Sequence, residues 1–155
     1  MSQNFTPPAP ESYTPVAAPA PVRSGNFGLG IVASVVAAIV TGGVYGAIIG
    51  ASGYQIGYAA VAVGAVVGLA AGKVGGSNPV LPVLSVLLSL AAVFGGQLFG
   101  IAWMFADELG TTVPDLGMGV PELIETWQKV SSPMTFLFLA IGGYAAFQAA
   151  RKAGH

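Results

Sequence analysis

Unbroken apolar runs dominate the chain. From Phe27 to Gly72 no Asp, Glu, Lys, Arg or His intervenes; as one helix this run would be about 69 Å long, against a hydrocarbon core of about 30 Å. It must double back, and Gly50-Ala51-Ser52-Gly53-Tyr54-Gln55 supplies small, flexible residues for the turn, with Tyr54, Gln55 and Tyr58 suited to a membrane interface. The pattern predicts a first span over 27–50 and a second over 54–73. Lys73 to Pro79 then reads as a connection, with Asn78-Pro79 opening a third span over 80–106. Pro82 falls in its first turn, where a missing N–H costs little, and Trp103 falls near its far end at an aromatic belt.

Polar residues return over 107–132 as Asp107, Glu108, Asp115, Glu122, Glu125 and Lys129, which marks an exposed loop. Inside it, Pro121 to Val130 has Pro at the first helical position, acids in the first turn and Lys in the last, so a short helix is predicted. Leu123, Ile124, Trp127 and Val130 share one face of it, which suits a helix lying on the membrane surface or on the bundle. Ser132-Pro133 opens a fourth span over 133–150, closed by Arg151-Lys152 and the 153–155 tail. The predicted fold is therefore all-α: a four-helix transmembrane bundle with a short amphipathic helix in the third loop.

Ahead of the spans, residues 1–26 hold six of the 11 prolines (Pro7, Pro8, Pro10, Pro15, Pro19 and Pro21) and only two charges, Glu11 and Arg23. Such a segment cannot pack a core and is expected to be a disordered cytoplasmic arm. Pro7 to Pro10 matches a PxxP ligand in spacing, with a plain tether as the blander reading. The arm has no basic start, so a signal peptide is not expected.

Composition agrees with lipid as the main solvent: 54% hydrophobic, 7% charged, mean hydropathy +0.77. Arg23, Lys73, Arg151 and Lys152 fall on one side of a four-span zigzag and Lys129 on the other, so the positive-inside bias predicts a multi-pass cell-membrane protein with both termini cytoplasmic. A formal net charge of −1 supplies no basic field for nucleic acid.

Small residues recur at every fourth position. Span one carries Gly30, Ser34, Ala38, Gly42, Gly46 and Gly50, span two carries Ala60, Gly64, Gly68 and Gly72, and Gly96, Gly100 and Gly142 continue the theme. Lipid gives helices no hydrophobic drive to associate, so close backbone approach at small-xxx-small ladders supplies van der Waals contact instead. These residues are predicted to pack helices, with spans one and two forming a close antiparallel hairpin. Composition alone would also produce such ladders. The partner of the faces is open between another span, a second copy and another membrane protein. Gln97 is the one strongly polar side chain deep in a span, and its amide needs an interhelical partner such as Thr41 or Tyr45. Tyr144 and Gln148, four apart, read as an interfacial anchor.

Gln55-Ile56-Gly57-Tyr58-Ala59-Ala60 running to Gly64 and Gly68, then Gly96-Gln97 with Phe99-Gly100, then Met134 to Phe138 through Gly142-Gly143-Tyr144, resemble a family of small four-span bacterial membrane proteins. The resemblance covers most of 26–150. It implies architecture and carries no activity, ligand or catalytic residue.

Pumps, coupled carriers and intramembrane hydrolases place ionisable or nucleophilic groups within the membrane. The predicted spans hold none, and Ser34, Ser85 and Ser89 have no base beside them in sequence. With Cys 0 and His155 as the sole histidine, thiolate and imidazole metal sites are not expected; nor is a cofactor. The acidic loop reads as solvated rather than as an oxygen-ligand cation site, since no spacing matches an EF-hand. The leading expectation is a non-enzymatic module that associates through its glycine-rich faces. The alternative is a passive pore or small-solute carrier formed by an oligomer, lined by Gln97, Thr41 and Tyr45.

Overall fold

The computed structural model describes residues 24–155, so most of the Pro/Ala-rich arm, with Pro7 to Pro10 and Arg23, lies outside the described residues. The described residues form α1 (Phe27–Ser52), α2 (Ala59–Gly75), α3 (Val80–Glu108), a 3-10 turn (Pro114–Leu116), α4 (Val120–Val130) and α5 (Pro133–Gly154), with no strand among them. α1, α3 and α5 are each long and apolar enough to cross a membrane; α2 is apolar but has 17 residues. Large apolar side chains such as Val32, Val36, Ile39, Val40, Val83 and Leu87 face outward and are more than half exposed, the surface expected of helices solvated by lipid.

Local chemistry sets the helix ends. The Asn26 side chain accepts the Leu29 N–H at 3.2 Å to start α1, and Gly53, at φ 71°, stops it while donating its N–H to Ile49 O at 2.8 Å. The second helix starts at Ala59, not at 54 as predicted. Gly53–Tyr58 stays non-helical, and Gly57 lies directly under the Phe138 ring, where even a β-carbon would collide. Asn78 Oδ1 accepts the Val80 N–H at 2.9 Å, so α3 opens beside the expected cap. The last two long helices run past their predicted ends, to Glu108 and Gly154.

The small-residue ladders join helices that are not neighbours in sequence. Going up the chain, Gly42 faces Ala92 and Gly46 faces Gly96, so α1 and α3 run parallel; Gly64 faces Gly142, Gly68 faces Ala146 and Gly72 faces Ala150, so α2 and α5 run parallel too. Among the described residues these two are the most extensive interfaces, so the glycine ladders pack mainly outside the predicted α1–α2 hairpin. The hairpin exists as well, with its closest glycine contact at one end, where Gly30 meets Gly75 and Asn26 N–H donates to Val74 O at 3.1 Å. A row spaced by four residues drifts about 40° around a helix per step. The α1 ladder therefore begins against α2 at Gly30 and passes onto α3 by Gly42.

α2 and α3 also touch across the middle, whereas α1 and α5 share no packed surface. Since α1 and α3 rise while α2 and α5 descend, Lys73, Arg151 and Lys152 gather at one end and the 107–132 segment at the other. Tyr45, Ile49, Val67, Leu81 and Val93 fill the core together with Ser34, Ser85 and Ser89, whose hydroxyls donate to carbonyls three or four residues back.

Candidate functional site

Polar chemistry converges at the acidic end, under α4. That helix presents Leu123, Ile124 and Trp127 to the bundle as predicted, while Val130, assigned to the same face, is exposed. Trp127 is the residue that penetrates. Its ring lies edge-on to Phe94 of α3 (centroids 5.0 Å apart) and to Phe136 of α5 (5.8 Å), and its indole N–H donates to Gln97 Oε1 at 2.6 Å. Gln97 sits eleven residues before Glu108, so Trp127 reaches about 16 Å below the end of α3.

The rest of the Gln97 amide is less well served. Its Nε2 reaches Tyr45 Oη at 3.5 Å, which is long, and no other described group takes its second N–H. Thr41, the other partner considered, instead donates to Ala37 O at 2.6 Å along its own helix. Tyr45 Oη has no acceptor for its own proton among the described residues. Both groups border a cavity of about 240 Å³ between α1, α2, α3 and the start of α5, walled also by Gln55, Ala60, Thr135 and Phe138. Gln97 is 4% exposed and Tyr45 2%. Next to it, sharing Gln55 and Val130 as walls, lies a more apolar cavity of about 280 Å³ bounded by Ile49, Ile101, Met104 and Thr126. Ser131, between two residues that line the polar cavity, has a buried hydroxyl without a partner among the described residues.

The predicted packing residues fall where the backbones come closest. Gly30, Ser34, Ala38, Gly42, Gly46, Ala60, Gly64, Gly68, Gly72, Gly96, Gly100 and Gly142 are buried, and Gly50, half-buried, lies against the Trp103 ring. A methyl on Gly42 would stand 2.7 Å from Ala92 O, and one on Gly96 would stand 2.6 Å from Gly42 O. Two glycines that sequence reasoning left aside behave oppositely. Gly43 of α1 and Gly95 of α3 are exposed and have nothing within 4 Å of a β-carbon position, and they help to floor an apolar groove of about 320 Å³ between those helices.

The five loop carboxylates are all exposed. Thr112 donates to Asp115 at 2.5 Å and Lys129 pairs with Glu125 at 2.8 Å, an exposed i,i+4 contact whose nearby ammonium lowers the Glu125 carboxyl below its ordinary range. At the other end of the molecule Gln148 Nε2 donates to Tyr144 Oη at 2.6 Å, joining the predicted interfacial pair.

The approach of Trp127 to Gln97 was the relationship least visible beforehand. The available signal was a lone buried amide in one segment and a lone Trp on the apolar face of a nearby short helix. No protein-family model, curated protein or solved structure matches the chain.

Proposed function

We propose that the chain is a non-catalytic four-span module of the cell membrane, with both termini cytoplasmic, that associates with a second copy of itself along the groove between α1 and α3. One observation carries this reading: Gly43 and Gly95 face outward with open space at their β-carbon positions, while the other small residues of the α1 and α3 ladders are engaged within the chain. A glycine inside a helix costs about 1 kcal/mol relative to Ala. At Gly42 or Gly96 intramolecular packing accounts for that cost; at Gly43 and Gly95 nothing in the monomer does. A shallow floor of glycine between the ridges of Val35, Ile39, Leu88 and Phe99 has the form that lets a second helix approach closely in lipid.

Counting α2 as a span is supported by its length of about 26 Å, near the hydrocarbon thickness, with Tyr58 at one end and Lys73 able to extend to the interface at the other. Orientation follows the basic end formed by Lys73, Arg151 and Lys152. The non-catalytic reading rests on spans that carry no Asp, Glu, Lys, Arg or His between residues 27 and 72, 80 and 106, or 133 and 150.

Mass measurement in detergent and crosslinking in native membranes test the proposal. Gly43→Leu and Gly95→Leu should fold like the parent and lose the dimer. A strictly monomeric parent, or variants that crosslink as the parent does, would refute it.

A further inference from the structure

We infer that the polar cavity beneath α4 is a binding site for a small uncharged molecule that offers a hydrogen-bond-accepting oxygen, with Gln97 and Tyr45 as its donors. The argument begins with unmet demand. A carboxamide carries two N–H donors and a phenol one O–H, and groups removed from water this fully are normally paired. Gln97 Oε1 is well satisfied by Trp127 at 2.6 Å, yet among the described residues its Nε2 has only the 3.5 Å contact to Tyr45, and the Tyr45 proton has no acceptor. At least two donors thus border one cavity of about 240 Å³. That is room for several waters or for a solute of a few heavy atoms.

Charge narrows the class. The polar side chains of the cavity wall are Tyr45, Gln55, Gln97, Ser132 and Thr135, and no group on that wall is ionisable near neutral pH. An ion entering would lose its hydration with no opposite charge to compensate, whereas a neutral carbonyl or hydroxyl exchanges water for the waiting donors. The adjoining cavity of about 280 Å³ and the α1–α3 groove of about 320 Å³ are lined chiefly by apolar side chains and offer no comparable set of buried donors. Trp127 ties the site to a readout, because its N–H shares the Gln97 amide.

Acetamide and acetate are nearly isosteric and differ in charge, so they make a matched pair of probes for the full-length protein in detergent, with Trp103→Phe leaving Trp127 as the sole indole. Acetamide should change Trp127 emission saturably and acetate should not. Tyr45→Phe and Gln97→Leu should each weaken apparent acetamide affinity by about 10-fold, the cost of one lost hydrogen bond. Gln55→Ala, at an exposed non-helical position on the cavity wall, should weaken it measurably and gives a test that does not depend on a buried substitution. A linear response to acetamide, equal saturation by acetate, or unchanged affinity in both Tyr45→Phe and Gln55→Ala would overturn the assignment.

Discussion

The indole N–H of Trp127 donates to the side-chain oxygen of Gln97 at 2.6 Å, which fixes a loop helix to an amide inside the bundle. Both side chains are more than nine-tenths buried. α4 packs on α3 alone among the helices, apart from the Trp127 ring against Phe136, and is linked to α3 through Gly110, Gly117 and Gly119. This hydrogen bond and two aromatic edges anchor α4, beside the half-buried Leu123 and Ile124.

Trp127→Phe should keep much of the ring packing while leaving Gln97 Oε1 without a donor in an apolar setting, a loss of about 1–3 kcal/mol. Gln97→Leu should cost a similar amount by orphaning the indole. The double variant should be less destabilised than the sum of the two, because neither group is then left unpaired. Thermal unfolding in a single detergent checks the cycle, and strict additivity would mean that the bond contributes nothing specific.

The ladders make a prediction about direction. Gly64, Gly68 and Gly96 face carbonyl oxygens of the opposing helix at distances that exclude a β-carbon, so Gly64→Ala, Gly68→Ala and Gly96→Ala each force two backbones apart. Losses of about 1–3 kcal/mol are expected, as for other overpacked interiors. Gly43→Ala and Gly95→Ala meet open space within one chain and, in detergent dilute enough to keep the protein monomeric, should leave the melting temperature unchanged or raise it slightly. Equal effects in the two groups would contradict the packing described above.

Much of this architecture was legible from residues alone, since apolar run length, the cap at Asn78, the Ser132-Pro133 start and the fourfold ladders are local signals. What was not legible is which face meets which. Gly42 and Gly64 advertise close approach, but a small residue has no side-chain shape with which to name its partner, so α1 choosing α3 and α2 choosing α5 had to come from the assembled bundle. The second span is predicted from Tyr54, right after the Gly50 to Gly53 turn, whereas the chain stays non-helical to Tyr58, with the Phe138 ring packed against Gly57, a contact between distant segments that no local signal reports. For the Gln97 site, the sequence exposes the need for a partner and names Thr41 and Tyr45, and it puts Trp127 on the apolar face of a helix lying on the membrane surface or on the bundle, but nothing local links that indole to Gln97.

The loop ion pair gives a pH dependence of known sign. Glu125 is lowered chiefly by its hydrogen bond to Lys129 and then by the charge of that ammonium. A carboxyl lowered in the folded state contributes stability above its unfolded value and loses it as the pH falls through the folded value. Acidification through the carboxylate range should therefore release this contact and loosen the last turn of α4, weakly, because the pair is exposed. Lys129→Ala should return Glu125 toward its ordinary range in an NMR titration, and high salt should reduce the difference between the two proteins.

Topology can be tested with unusual economy because the chain contains no cysteine, so any one introduced is the only thiol present. Ser24 and Lys152 lie at the basic end and Glu122 at the acidic end, all exposed. With four spans and cytoplasmic termini, Glu122→Cys should react with a membrane-impermeant maleimide on intact cells, while Ser24→Cys and Lys152→Cys should react only after permeabilisation. A three-span protein, with α2 failing to cross, would place residues 24 and 152 on opposite faces, and one of those two thiols would then label in intact cells. The pattern of three reactivities thus decides both the crossing of α2 and the sense of insertion, since a four-span bundle inserted the other way would invert all three.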